Sequence, residues 1–292
     1  MAVNCNRIIF VFFLFSLSFV NPSYAEMQSS PPKLDNAQYY YAKLDEKNNA
    51  NMCIIQRYDD AKGEVVFSVW NGYPFDITLT FRPTLKNMQS DATFPLHIIS
   101  PPNSTSVAYS ATIIDRSLPY TWNNSWDWRM GKSDAVHDDT YIYTLPFPAK
   151  KKFKISQGYY GTGSHFDDFT HSIDWEMPIG TPILAARDGT VMFVRDQYYK
   201  HSIDPIFKNY TNTITVVHND GTMAEYSHIK KDSARVKVGD VVKVGDEIAL
   251  SADVGYAVSP HLHFRIFRIV DETKYESIPV RFKNLKPELY NY

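Results

Sequence analysis

Cysteine is scarce in this chain: two in 292 residues, Cys5 and Cys53. That scarcity excludes a scaffold stapled by several disulfides. Loss of the first segment would leave Cys53 alone, with no partner for an internal bridge. Stability must then come from packing, and from metal if a site exists. Net charge is also lacking, because 30 Lys and Arg stand against 32 Asp and Glu, for a formal −2. Without a strong positive field the chain is a poor general nucleic-acid binder, and no nucleic-acid partner is expected. Long apolar runs are missing beyond the first segment, so no later membrane span is expected. No regular amphipathic helix of several turns governs the C-terminal half, which disfavours a doubly wound nucleotide-binding fold.

What is present is enough apolar material, 44% of the chain, to fill about two domains. Arg7 precedes an apolar run from Ile8 to Val20, and Asn21-Pro22-Ser23-Tyr24-Ala25 follows. A basic start, a run too short for a bilayer span and small residues after it fit an export signal. Cleavage after Ala25 is expected to leave residues 26–292 periplasmic or secreted, with no stable transmembrane segment.

The rest reads as all-β. Residues 26–50 form an N-terminal extension with a tyrosine run, Tyr39, Tyr40 and Tyr41. Over residues 51–146, Val65, Phe67 and Val69 alternate with Val66, Ser68 and Trp70, and Ile77, Leu79 and Phe81 alternate with Thr78 and Thr80. This period of two predicts half-buried strands, and short sheets of this kind need opposing faces, so a β-sandwich-like accessory domain is expected. Trp122, Trp126 and Trp128 are assigned to the packing of long loops. A second domain is placed at residues 147–292, with strands over 190–194, 213–217, 224–229 and 261–269. Lys237-Val238-Gly239-Asp240 and Lys243-Val244-Gly245-Asp246 repeat at an offset of six and read as successive tight corners.

The chemistry concentrates in the second domain. Its motifs are Ser164-His165, Thr170-His171-Ser172-Ile173-Asp174, Tyr226-Ser227-His228 and Ser259-Pro260-His261-Leu262-His263-Phe264. On a strand His261 and His263 share one face, and Leu262 and Phe264 share the other. Imidazole nitrogen and carboxylate oxygen suit zinc, and a catalytic zinc keeps one coordination position open.

From about Gly158 to Ile269 the chain resembles the catalytic domain of lysostaphin-like zinc metalloendopeptidases. The resemblance rests on Ser164-His165, Ile173-Asp174-Trp175, Pro178-Ile179-Gly180-Thr181-Pro182, Ala185-Ala186-Arg187-Asp188-Gly189-Thr190-Val191, Tyr226-Ser227-His228 and Pro260-His261-Leu262-His263-Phe264. It implies an antiparallel β catalytic domain whose zinc cleft cuts peptide bonds in peptidoglycan. Metal-binding roles fall on an upstream histidine, Asp174 and His263, and catalytic roles on His228 and His261.

The common family pattern places a histidine four residues before the metal-binding Asp, where this chain has Thr170. His165 and His171 are the two candidates for the upstream ligand. His165 matches a longer-looped variant, and His171 would face away from Asp174 on a regular strand. The segment Ser251-Ala252-Asp253-Val254-Gly255-Tyr256 also lacks the family's small-residue pattern, and Ser259 replaces a common glycine.

The expected function is therefore an exported zinc-dependent endopeptidase acting on peptidoglycan. The alternative is a catalytically silent scaffold that regulates a cell-wall hydrolase. A partner protein in the envelope is open in either case.

Overall fold

The computed structural model describes residues 30–43, 49–271 and 274–290. The expected export signal over residues 1–25 lies outside them. The regular elements of the described chain are strands, apart from three short 3-10 turns, and no described helix is long and apolar enough to cross a membrane. Contacts divide it into two units that meet in sequence at Met130 and Gly131.

In the first unit a five-stranded sheet is ordered Ala37–Lys43, Asn49–Asp59, Glu64–Asn71, Ser104–Ile113 and Met88–Ser90. A three-stranded sheet is ordered Trp126–Met130, Ile77–Phe81 and Leu96–Ser100. Val65, Phe67 and Val69 are fully buried, as the period of two requires. Phe67 stacks on Tyr109, and Phe81 of the smaller sheet meets the same ring edge-on. The residues read as an extension include an edge strand, whose Tyr39 pairs with Ile55. Trp126 and Trp128 are strand residues paired with Phe81 and Leu79, rather than loop residues.

The second unit begins before the expected boundary at residue 147. Residues 131–146 pack with it because Tyr143 is fully buried in its core and Ile142–Tyr143 pairs with Arg281–Phe282. Its main sheet contains β1 (Ile155–Gln157), β2 (Ser172–Glu176), β3 (Gly189–Arg195), β4 (Thr213–Val217), β5 (Met223–Ser227), β6 (Val241–Val242), β7 (His261–Ile269) and β8 (Tyr275–Ile278). The order is β1-β2-β7-β5-β4-β3-β6, and β8 pairs with the far end of β7.

Register explains how this sheet serves a site. Ile173, Phe264, Tyr226, Ile214 and Val194 are successive cross-strand partners, and all pack into or against one apolar core. One residue along, the row reads Gln157, Asp174, His263, Ser227, Thr213 and Arg195. Adjacent residues in a strand face opposite ways, so the apolar row anchors the sheet and turns the polar row to its other face.

The corners follow local chemistry. The two Lys-Val-Gly-Asp segments make equivalent turns: Gly239 and Gly245 have φ near +90°, at 93° and 91°. In each, the Asp carboxylate accepts from the Lys backbone N–H. Gly189 serves close approach rather than an unusual dihedral, since a Cβ there would lie 2.4 Å from the Val217 carbonyl oxygen.

Leu262 is fully buried in this core. Leu262→Ala should cost about 2–5 kcal/mol of unfolding free energy, measured by urea denaturation. A loss under about 1 kcal/mol would contradict this assignment of strand faces.

Candidate metal centre

His165 reaches the polar face on the loop between β1 and β2. Its backbone N–H donates to Gly161 O at 3.0 Å, and its ring Nδ1 lies 2.7 Å from Gly158 O. The turn that follows, Asp167–Phe169, is pinned from β7. Arg265 Nη1 donates to Asp168 O at 2.9 Å, and its guanidinium lies 3.9 Å from the Phe169 ring centre.

Three side chains converge there. His165 Nε2 lies 3.2 Å from Asp174 Oδ1, and His263 Nδ1 lies 2.8 Å from the same oxygen. The ligand-capable atoms of His165, Asp174 and His263 all fall within 4.8 Å of one another, and all three residues are buried. Burial raises the Asp174 carboxyl's pKa, but the two imidazoles packed against it outweigh that, holding the group well below the usual carboxylate range.

The donor set suits a divalent metal. A carbonyl oxygen only accepts, so the contact with Gly158 O assigns the His165 proton to Nδ1. In the neutral ring this leaves a lone pair on Nε2, a buried atom with no hydrogen-bond partner. A lone pair aimed at a buried carboxylate calls for a cation between them, and two nitrogens with one carboxylate oxygen match zinc's preferred ligands.

His228 and His261 lie beside this cluster. Their ring centres are 4.3 Å apart, and that of His228 is 6.2 Å from His263. His228 ends β5 with φ at +64°, a left-handed backbone costly for a non-glycine residue. Three bonds hold it: its N–H donates to Asn212 O and its carbonyl accepts from Ala252 N, both at 2.9 Å, while its Nδ1 meets Val254 O, also at 2.9 Å. His261 Nδ1 meets Ser259 O at 2.8 Å. Both rings therefore carry their proton on Nδ1 and leave Nε2 as the acceptor. Burial, then the nearby His261 and His263, keep the His228 imidazole well below its usual pKa.

The other histidines go elsewhere. His171 Nδ1 lies 2.8 Å from Ser277 O, and its ring sits against Tyr159 and Tyr160. His218 donates to Asp188 O at 2.8 Å, and burial depresses its pKa to about 4. His201 belongs to the insertion over residues 196–210. That insertion is more than surface, because His201–Ser202 pairs in parallel with Gly255–Tyr256, next to the Val254 carbonyl that holds His228.

Sequence reasoning missed two contributors, Gln157 and Arg265. Gln157 Nε2 donates to Asp174 Oδ2 at 3.1 Å. The available signal was its place as a polar residue directly before Gly158 and the motif region.

Fold and site together define an all-β domain with a buried two-histidine, one-carboxylate cluster and two further histidines beside it. Residues 168–276 match the family profile of Peptidase family M23. The chain thus contains a Peptidase family M23 domain, of the lysostaphin-like family. Asp174, His228, His261 and His263 fall inside the matched residues, whereas His165 lies just before them.

Among relatives, an "Uncharacterized metalloprotease" of Buchnera aphidicola subsp. Baizongia pistaciae is 34% identical over 165 residues, 53% of this chain and 40% of that protein. Lysostaphin of Staphylococcus simulans is 36% identical over 98 residues, 32% of this chain and 17% of that protein. Peptidoglycan DD-endopeptidase ShyB of Vibrio cholerae is 38% identical over 104 residues, 35% of this chain and 22% of that protein. The matches thus span well under half the length of these relatives.

Metal analysis separates the two upstream candidates. His165→Ala should lower bound divalent metal at least tenfold, as expected for removal of a direct ligand, and His171→Ala should leave it at the wild-type level. The reverse pattern would transfer the role to His171.

Proposed function

We propose that this chain is an exported, zinc-dependent endopeptidase that hydrolyses peptide bonds in peptidoglycan. The reading is carried by one observation: His165, Asp174 and His263 converge as a buried donor set, with His228 and His261 alongside. The name of the relative ShyB, a peptidoglycan DD-endopeptidase, supports the peptidase class and the substrate, and that of the Buchnera relative supports a metalloprotease. Export rests on the N-terminal sequence.

In this reading His165 Nε2, Asp174 Oδ1 and His263 Nδ1 hold the zinc. Zinc supplies Lewis acidity, which acidifies the attacking water and polarises the scissile carbonyl. The protein does the rest. Asp174 contributes the negative charge that makes the site selective for a cation, and burial among β1, β2 and β7 keeps that charge strongly felt. His228 and His261 move protons at Nε2, because Val254 O and Ser259 O hold their Nδ1 protons. They take a proton during attack and return it to the leaving amine. The three bonds that fix His228 hold its ring ready for this role.

Mass analysis of products from defined, zinc-replete peptidoglycan tests the proposal. Wild type should release peptides cut at one type of amide bond. His228→Ala and His261→Ala should each lower the rate by roughly 10²–10⁴-fold, the usual contribution of a positioned acid or base, while retaining zinc. Asp174→Ala should lose both zinc and cleavage. Binding to peptidoglycan without new peptide products would favour the silent scaffold.

A further inference from the structure

We infer that Gln157 is a positioning residue that clamps the metal-binding carboxylate to the loop carrying His165, and so fixes the approach of the displaced upstream histidine. The inference rests on the zinc assignment in the proposed function.

The upstream ligand lies nine residues before Asp174, across the loop between β1 and β2. Nothing in that spacing aims His165 at the carboxylate, because a loop of this length has many conformations and ordering it costs entropy. A tether is needed, and the Gln157 amide supplies one. Its Oε1 accepts from Gly163 N at 2.7 Å and from Ser164 N at 3.1 Å. Its Nε2 donates to Ser164 Oγ at 2.8 Å and to Asp174 Oδ2 at 3.1 Å. A side-chain amide has two N–H donors and an oxygen with two lone pairs, so its full capacity is used.

The orientation of that amide is determined by its partners. A flipped group would set N–H against two backbone N–H donors and oxygen against a carboxylate. Held this way, Gln157 occupies Asp174 Oδ2 and leaves Oδ1 facing His165 and His263. The residue joined to His165 in sequence, Ser164, is gripped through both backbone and hydroxyl. One side chain thus ties the carboxylate directly to the loop, beside the contacts that His165 makes with Gly158 and Gly161.

The glycines of the loop fit the same device. A Cβ on Gly161 would lie 2.2 Å from Gln157 Cγ, and one on Gly163 would lie 2.6 Å from Oε1. Neither glycine has an unusual φ, so space for Gln157 rather than backbone conformation accounts for them. Gly163→Ala is therefore a way to displace the amide without altering Gln157.

The test is the zinc affinity of the full chain, by competition with a chromophoric chelator, with circular dichroism reporting the fold. Gln157→Met keeps the side chain's bulk and removes all four hydrogen bonds. It should weaken zinc binding roughly 10–100-fold, the usual cost of losing a group that orients a ligand. Gly163→Ala should weaken it in the same direction, which provides an independent variant if Gln157→Met does not fold. In a His165→Ala background, Gln157→Met should cost less than it does in wild type, since much of its role is to deliver His165. Folded variants that bind zinc within twofold of wild type, or losses that simply multiply in the double variant, would overturn the clamp and leave the metal site standing. A wild-type chain that binds no zinc would instead overturn the assignment beneath it.

Discussion

The buried carboxylate of Asp174 is the constraint on which the centre depends. An ionised carboxylate removed from water is costly unless it is paired and hydrogen-bonded. Here Oδ1 faces two imidazoles and Oδ2 is held by Gln157. The sheet makes this arrangement possible, because Gln157, Asp174 and His263 are direct neighbours across three strands. The apolar row from Ile173 to Val194 holds those strands from behind, so packing on one face fixes the register on which the polar face relies.

The two remaining histidines depend on a second set of contacts. The left-handed backbone of His228 is held by Asn212 from one segment and by Ala252 and Val254 from another. The segment carrying Val254 is itself held by the insertion, since Gly255 N donates to Lys200 O and His201–Ser202 pairs with Gly255–Tyr256. Gly255 has φ at +98°, and a Cβ there would lie 2.3 Å from Thr211 Cα. An insertion that looks peripheral in sequence thus reaches the histidine ring through two short steps. Local strain that the surroundings over-determine is common where a side chain must be held in one orientation.

Much of the fold was legible from the period of apolar residues. The alternation in Val65, Phe67 and Val69, and in Leu262 and Phe264, gave strands because each second residue enters a core. The division of the chain was harder to see. Residues 131–146 carry no sequence mark of a boundary, yet Tyr143 joins the second unit's core through contacts distant in sequence. For the site, the shared face of His261 and His263 followed from strand period, whereas the roles expected of Asp174, His228, His261 and His263 came from the family resemblance. Gln157 and Arg265 stayed hidden because their roles arise from a loop folding back onto strands, which neither period nor residue type encodes. The insertion's structural role stayed hidden for the same reason: its pairing with Gly255–Tyr256 is a parallel contact between segments some fifty residues apart.

X-ray absorption at the zinc edge of the metal-loaded chain tests the central claim most directly. The account predicts two imidazole nitrogens and oxygen donors at about 2.0–2.2 Å, with no sulfur scatterer. A spectrum with fewer than two imidazoles, or with sulfur near about 2.3 Å, would show that His165, Asp174 and His263 do not form the metal centre.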